Sequence, residues 1–330
     1  MARAAWGAGV LAVALAVGVP VAVGGYTLHL MTHVVIAALF ATSLNLLFGT
    51  TGLLSFGQAA YYGLGAYVTA LLLPLGSVPF VVILLVSAAA AGVVAFVAGY
   101  FCVRRDDIYF AMLTLAFGQL VYAIAHKWRA VTGGDDGIAG LFPPVLAAGV
   151  DLGDPARYYV FVCLVVGVSL AALWWITRSP LGEVFRAIRE NPERTAALGV
   201  DVHRQQLKAF VIAGVFSGLA GALYAPFSGT VSPSLLHWGK SADPVFMAVL
   251  GGKGVFLGPA LGAAALLWLQ SFITRYTTHW MVVLGAILVV ATLAFPAGLA
   301  GIVTRIPRAP AALRLAWRPQ WQRMSRWIRA

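Results

Sequence analysis

The stretch Pro79–Cys102, PFVVILLVSAAAAGVVAFVAGYFC, contains no charged side chain. A hydrocarbon layer about 30 Å thick takes roughly 20 apolar helical residues to cross, so the segment reads as a membrane-spanning helix. Comparable runs lie at about 5–24, 27–48, 54–73, 108–126, 158–177, 208–228, 244–273 and 280–298. Lipid offers backbone groups no partner outside their own segment, so every run is expected to be helical. Composition agrees. Of 330 residues, 61% are hydrophobic and 10% charged, against about 25% charged in soluble proteins. The expected fold class is all-α and polytopic, with no room for an aqueous core sheet.

The 22 bases and 11 acids give a net charge of +11, a balance that in a soluble chain points to nucleic acid. Their positions say otherwise. Arg305, Arg308, Arg314, Arg318, Arg323, Arg326 and Arg329 form an acid-free tail, and Arg178, Arg186, Arg189, Arg194, Arg204 and Lys208 share one loop. Cytoplasmic loops carry the excess of Lys and Arg, so both segments are placed inside. Counting crossings backwards puts Arg104, Arg105 and Arg3 inside and residues 127–157 outside. The C-terminal half closes only if 244–273 crosses twice, as a discontinuous pair or a re-entrant turn around Gly251-Gly-Lys-Gly254 and Gly258-Pro259. The total is about ten crossings with both termini cytoplasmic. Sixteen bases are then inside, five (Lys127, Arg129, Arg157, Lys240, Arg275) outside, and Lys253 is unassigned. Residues 5–24 read as an uncleaved anchor rather than a signal peptide, and the 305–330 tail suits anionic lipid.

All 11 acids (Asp106, Asp107, Asp135, Asp136, Asp151, Asp154, Glu183, Glu190, Glu193, Asp201 and Asp243) fall at loops or span edges in this reading. Carriers driven by ions or protons keep ionisable groups at membrane depth, so self-powered transport loses ground. Cys102 and Cys163 sit in apolar runs and read as small core residues. No HExxH or Cys/His cluster is present. His29 and His33 have an i, i+4 spacing able to hold a metal, but no third ligand is near, and an interfacial pair is the plainer reading. Gly239-Lys240-Ser241 imitates the end of a phosphate-binding loop, yet Ser234 stands where that loop needs its first Gly. The tripeptide is placed in an external loop. No catalytic, metal or nucleotide site is expected on this chain, and the energy source is sought elsewhere.

Pro180–Val200 is the most informative loop. Leu181, Val184, Phe185 and Ile188 repeat at i, i+3, i+4 and i+7, with Glu183, Arg186, Arg189 and Glu190 on the remaining surface. Asn191-Pro192 is an N-cap followed by a first-turn proline, and a short helix to Leu198 ends on Gly199 as a left-handed C-cap. Two short angled helices suit a groove on another protein, or they lie on lipid headgroups. Composition alone leaves both open.

Gly182-Glu-Val-Phe-Arg-Ala-Ile-Arg-Glu-Asn191, Ala196-Ala-Leu-Gly-Val200 and Lys208-Ala-Phe-Val-Ile212 through Ser217-Gly-Leu-Ala-Gly-Ala-Leu-Tyr-Ala225 resemble the LivM-type permease subunit of branched-chain amino acid ABC importers. Further blocks are Ser43–Gly49, Gly52–Ala60 with Gly63–Tyr67, Leu113–Gly118, Thr132–Ile138, Val249–Gly252 and Phe295–Leu299, so that the likeness covers about 30–304. The resemblance implies the fold of vitamin B12-type importer permeases. It also implies a LivH-like second permease, two cytosolic ATP-binding subunits that carry ATP and Mg, and a periplasmic substrate-binding protein, in a bacterial inner membrane. Within a permease domain of 1–304 it makes 178–208 the coupling loop, with Glu183, Arg186, Arg189, Glu190, Glu193, Arg194 and Gly199 as coupling residues. Gln58 stands where many members have His, and Asp107 where Gly is common.

Polar and aromatic residues inside spans are the pathway candidates: Asn45, Ser55, Gln58, Tyr61 and Thr114, with Tyr62, Gln119, Ser217 and Tyr224 beside them. A route that must release its solute suits sparse neutral groups. Helix-to-helix hydrogen bonding explains each equally well. Gly214-x-x-x-Gly218 and Gly258-x-x-x-Gly262 let backbones approach closely, for packing or as hinges. The rival from another class is a self-sufficient channel or secondary carrier.

Overall fold

Helix α1 (Gly25–Asn45) tightens its own fate at its end, where it widens into a π-helical turn, Leu46–Thr51, and stops at Gly52. Gly52 adopts φ +90°, a left-handed conformation that side chains disfavour. Residues 52–57 are non-helical, and α2 (Gln58–Leu72) then begins afresh. The computed structural model describes residues 24–304 apart from 77, 105–106, 146–150, 278 and 295–297. The anchor at 5–24 and the 305–330 tail lie outside these residues, apart from Gly24 itself.

The remaining helices are α3 (Phe80–Cys102), α4 (Asp107–Lys127), α5 (Arg129–Thr132), α6 (Pro155–Arg178), α7 (Pro180–Glu190), α8 (Pro192–Ala197) and α9 (Val202–Ser228). They are followed by α10 (Trp238–Gly251), α11 (Gly258–Thr274), α12 (Trp280–Ala294) and α13 (Gly298–Thr304). Among the described residues, five helical stretches are long and apolar enough to cross a membrane: Gly25–Thr51, Phe80–Cys102, Ile108–Lys127, Pro155–Arg178 and Val202–Ser228. The chain is an all-α polytopic membrane protein. The sole sheet among the described residues is a two-residue pairing of β1 (Ile138–Ala139) with β2 (Thr230–Val231), antiparallel.

Helix α9 is the central post, and its small residues explain why. A methyl on Gly214 or Gly218 would strike the Cβ of Ala95 or Ala91 in α3. One on Gly221 would strike the Tyr62 carbonyl oxygen of α2, and one on Gly65 the Gly218 carbonyl. Backbones at this distance exchange dispersion contacts that larger residues would forbid, which is how helices associate where lipid is as apolar as leucine. Packing, the plainer reading of the small-residue blocks, is what the geometry displays. Polar ties join the same helices: Ser43 Oγ to Ser217 Oγ at 2.8 Å, Thr69 Oγ1 to Ser87 Oγ at 2.9 Å, and Tyr158 Oη donating to the Leu223 carbonyl at 2.6 Å. Outward faces of α3 and α6 present Leu85, Val93, Phe96, Val168 and Trp175, all exposed and apolar. Hydrocarbon is the medium that covers such a surface.

The 244–273 segment is two separate helices, α10 and α11, and α10 starts earlier than its hydropathy implies, at Trp238. Both are shorter than a full span. Gly251 and Gly262 carry them past each other, since a Cβ on either would meet the facing backbone. The turn between them reaches the π turn, where Lys253 Nζ stands 4.6 Å over the Phe48 ring. The 54–73 run likewise becomes a shorter helix, because 54–57 is unwound.

The chain therefore has two ends. One, the face that bears the expected coupling loop, carries α7, α8 and the π turn. The other carries β1–β2 and the start of α1. If close packing fixes α9, Gly218→Leu should lower thermal stability in detergent by about 1–3 kcal/mol, the usual cost of overpacking. Gly167→Ala, at a position with nothing within 4 Å of the new methyl, should leave it unchanged.

Candidate functional site

Helix α7 forms because its apolar residues recur on one face and Pro180 sits in its first turn. Gly182, Phe185 and Ile188 are buried against the bundle. Asn191 then caps α8, its Oδ1 accepting from the Arg194 N–H at 2.8 Å. Beyond Leu198, Gly199 takes φ +86°, as the C-cap reading requires.

The charged residues divide into two sets. Arg186 turns back on its own subunit: its guanidinium lies 2.5 Å from Glu183 and donates to the Thr177 carbonyl at 2.9 Å. Arg189, itself exposed, reaches across to the π turn and donates through Nη1 to the Gly49 carbonyl. Its aliphatic stem lies against Gly52, where a Cβ would come within 2.9 Å of Arg189 Cγ. Glu190, Glu193, Arg194 and Gly199 are left exposed, together with Leu198, whose apolar side chain is 79% accessible. Composition did not show this division, which depends on where the π turn lies.

From the π turn the chain runs through 52–57, whose backbone lacks helical partners. Thr114 Oγ1 of α4 accepts from the Phe56 N–H at 3.2 Å and donates to the Ala111 carbonyl at 2.9 Å. Ser55 Oγ accepts from the Gly57 N–H at 3.3 Å. The Ala59 N–H, in the first turn of α2, donates to Ser241 Oγ of α10 at 2.9 Å. Irregular backbone at membrane depth survives only when protein or a water-filled cavity serves it. Ser55 and Thr114 thus hold the break in place.

Two of the remaining pathway residues are amides with no such duty. Gln58 is fully buried and neither its Oε1 nor its Nε2 has a partner among the described residues; Asn45 Oδ1 is buried and unpartnered as well. Gln119 Nε2 shares that state. A buried amide without a partner costs roughly 1–3 kcal/mol, which marks these positions as more than packing. Tyr61 packs edge-on to Phe210 at 5.6 Å, Tyr62 contacts Phe40 at 4.5 Å and Tyr224 at 5.7 Å, and Ser217 is the α1–α9 tie already described.

Lys240 and Asp243 lie in a helix and not in a loop. They sit in α10, paired at 2.8 Å, and of the ion pairs among the described residues theirs has the least exposed side chains, 25% and 35%. The polar run 239–243 and Pro244 read as a span boundary. His237 offsets that by capping the helix, its Nδ1 accepting from the Gly239 N–H at 3.3 Å. His29 stacks on Phe227 at 4.2 Å and His33 lies 5.7 Å from Tyr224, an aromatic setting rather than a ligand set. Among the described residues no group of three or more His, Cys, Asp or Glu side chains gathers. Cys102 and Cys163 are free.

The bundle, with a broken helix in its core and a short helix pair at one face, is that of an all-α polytopic membrane protein. The family described as "Branched-chain amino acid transport system / permease component" matches residues 26–292, and the chain belongs to it. It is 30% identical over 308 residues to the high-affinity branched-chain amino acid transport system permease protein LivM of Escherichia coli (strain K12), covering 86% of this chain and 72% of that one. The probable branched-chain amino acid transport permease protein LivM of Methanocaldococcus jannaschii is 26% identical over 67% of this chain and 73% of its own. The LivH permease protein of the Salmonella typhimurium system is 24% identical over 80% and 91% respectively. No solved structure matches. The chain is a permease subunit of an ABC importer and not an enzyme; ATP hydrolysis belongs to separate subunits.

The Arg189 tie is open to direct measurement. Arg189→Ala should raise hydrogen exchange of the Leu46–Gly57 amides several-fold and leave those of Ala213–Ala222 unchanged. Gly52→Ala, which puts a side chain at φ +90°, should act alike through a strain of roughly 1–2 kcal/mol.

Proposed function

We propose that this chain pairs with a LivH-like second permease and, driven by two cytosolic ATP-binding subunits, passes branched-chain amino acids from a periplasmic binding protein to the cytosol. The observation that carries this reading is the α7–α8 pair. It is anchored inward by Phe185, Ile188, Arg186 and Arg189 and presents Glu190, Glu193, Arg194 and Leu198 outward. A pair lying on lipid would direct an apolar face to the membrane, whereas this one spends its apolar face on the bundle. What remains is polar with one apolar tip, which suits a groove on a protein.

The mechanism follows from the connections. Movement of α7 draws on Arg189, which holds the Gly49 carbonyl, and the π turn leads directly into the 52–57 break and Gln58. A helix already interrupted there moves as two pieces, so a pull at the coupling face alters the core without unfolding a continuous helix. Asn45, Ser55, Gln58, Tyr61 and Thr114 surround the break and form the pathway in this reading. The coupling residues fall into an outward group that meets the ATPase and an inward group that transmits.

The same proposal keeps the architecture of the sequence reading: about ten crossings in a B12-type permease fold, a domain of 1–304 with its coupling loop at 178–208, both termini in the cytoplasm of a bacterium, and the arginine tail against anionic lipid. The coupling face is then cytosolic, and the β1–β2 face meets the binding protein.

Reconstitution tests it. Proteoliposomes holding this chain, the second permease and the ATPases should accumulate labelled leucine only with ATP and binding protein, and uptake by this chain alone would overturn the assignment. Glu193→Lys with Arg194→Glu should lower that uptake at least ten-fold while insertion into the membrane persists; unchanged uptake would show that α8 does not dock.

A further inference from the structure

The N-termini of α2 and α10 meet inside the bundle, since the Ala59 N–H donates to Ser241 Oγ at 2.9 Å and both groups are buried. Four observations gather at this point. Lys240 and Asp243, flanking Ser241, form the half-buried ion pair. Gln58, adjacent to Ala59, is fully buried with both polar atoms unpartnered. Tyr62, one turn along the same helical face as Gln58, lies within electrostatic reach of Asp243, and His33 of α1 within reach of Lys240. Pro244 has no N–H, so the Lys240 carbonyl lacks its usual helical donor.

The place lies part-way along α1, and Lys240, Asp243 and His33 are half-buried there. His33 follows the start of α1 by eight residues, roughly 12 Å at 1.5 Å per residue. Its ring neighbours Tyr224 and Phe227 belong to the last turns of α9. Above them His29 stacks on Phe227, so a column of rings leads from the β1–β2 end down to the ion pair.

We propose that the junction of α2 and α10 is a recognition site for a zwitterion, Lys240 receiving the carboxylate and Asp243 the ammonium of a free amino acid. The proposal rests on the importer reading and names the solute's charge pattern within it. A pair with one charge of each sign can exchange its partner for the matching group on a solute, at little net change in buried charge. Two helix N-termini add positive potential near the carboxylate. The Lys240 carbonyl and the Gln58 oxygen supply acceptors for an ammonium, and the Gln58 amide a donor to a carboxylate. Solutes with only one of these charges, or neither, would leave part of the pair uncompensated.

The test uses the complete reconstituted importer with a single binding protein, and reads the initial rate of leucine uptake at saturating binding protein. Asp243→Asn and Lys240→Gln should each lower the rate at least ten-fold. The double variant Lys240→Gln with Asp243→Asn, which strands no lone charge, should be equally slow. The exchange Lys240→Asp with Asp243→Lys keeps an ion pair in the helix, and should remain slow because the solute's charges now meet their like. Rates within two-fold of the parent in the double variant, or full recovery in the exchanged one, would overturn the site and assign the pair to holding α10. Both results presuppose that the parent imports leucine; if it imports no amino acid, the importer reading fails first and takes the proposal with it.

Discussion

The fold depends on one constraint: backbone that leaves the helical pattern inside a membrane has to find its partners in the protein. Between Leu46 and Gln58 the chain widens, stops and restarts. Several of the loose ends are met by side chains. Arg189 reaches across from α7 to the Gly49 carbonyl, Thr114 receives the Phe56 N–H, Ser55 the Gly57 N–H, and Ser241 the Ala59 N–H. Those four residues come from α7, α4, the break itself and α10, so the break is also what locates these elements relative to one another.

That arrangement contrasts with the post beside it. Along α9, glycine and alanine set backbones so close that any added methyl would collide with α2 or α3. Such contacts cannot shift gradually, because closely packed interiors are not continuously deformable. The break is secured instead by single hydrogen bonds from side chains, each worth only about 1 kcal/mol net. A load applied at α7 therefore reaches a part that yields before it reaches the part that does not.

Much of this was legible in the sequence, for definable reasons. The long apolar runs fixed the helices of α3, α4, α6 and α9, since span length is set by bilayer thickness alone. Asn191-Pro192 and Gly199 fixed the α8 boundaries, because capping is local chemistry. The family resemblance on the blocks from Ser43 to Leu299 agreed with the family match over 26–292. Three features were not legible. The beginning of α10 was hidden by Gly239, Lys240, Asp243 and Pro244, whose helix depends on the His237 cap. The unwound residues 54–57 are apolar enough to pass for helix. The reach of Arg189 depends on a carbonyl 140 positions away. Hydropathy records what a segment is made of, and these depend on what it meets.

The placement of Lys240 and Asp243 changes the argument from charge without reversing it. In the sequence all 11 acids fall at loops or span edges, a pattern that points to an energy source on a partner. Asp243 lies in α10, half-buried, with a lysine three residues before it at 2.8 Å. A carrier that runs on a proton or ion gradient needs a charge whose occupancy changes during the cycle. Asp243 is instead already paired with Lys240 on its own helix. In the proposed site the pair trades partners with a solute that carries both signs, which is recognition. In the proposed importer the work of moving the solute inward enters through α7 and the break it holds.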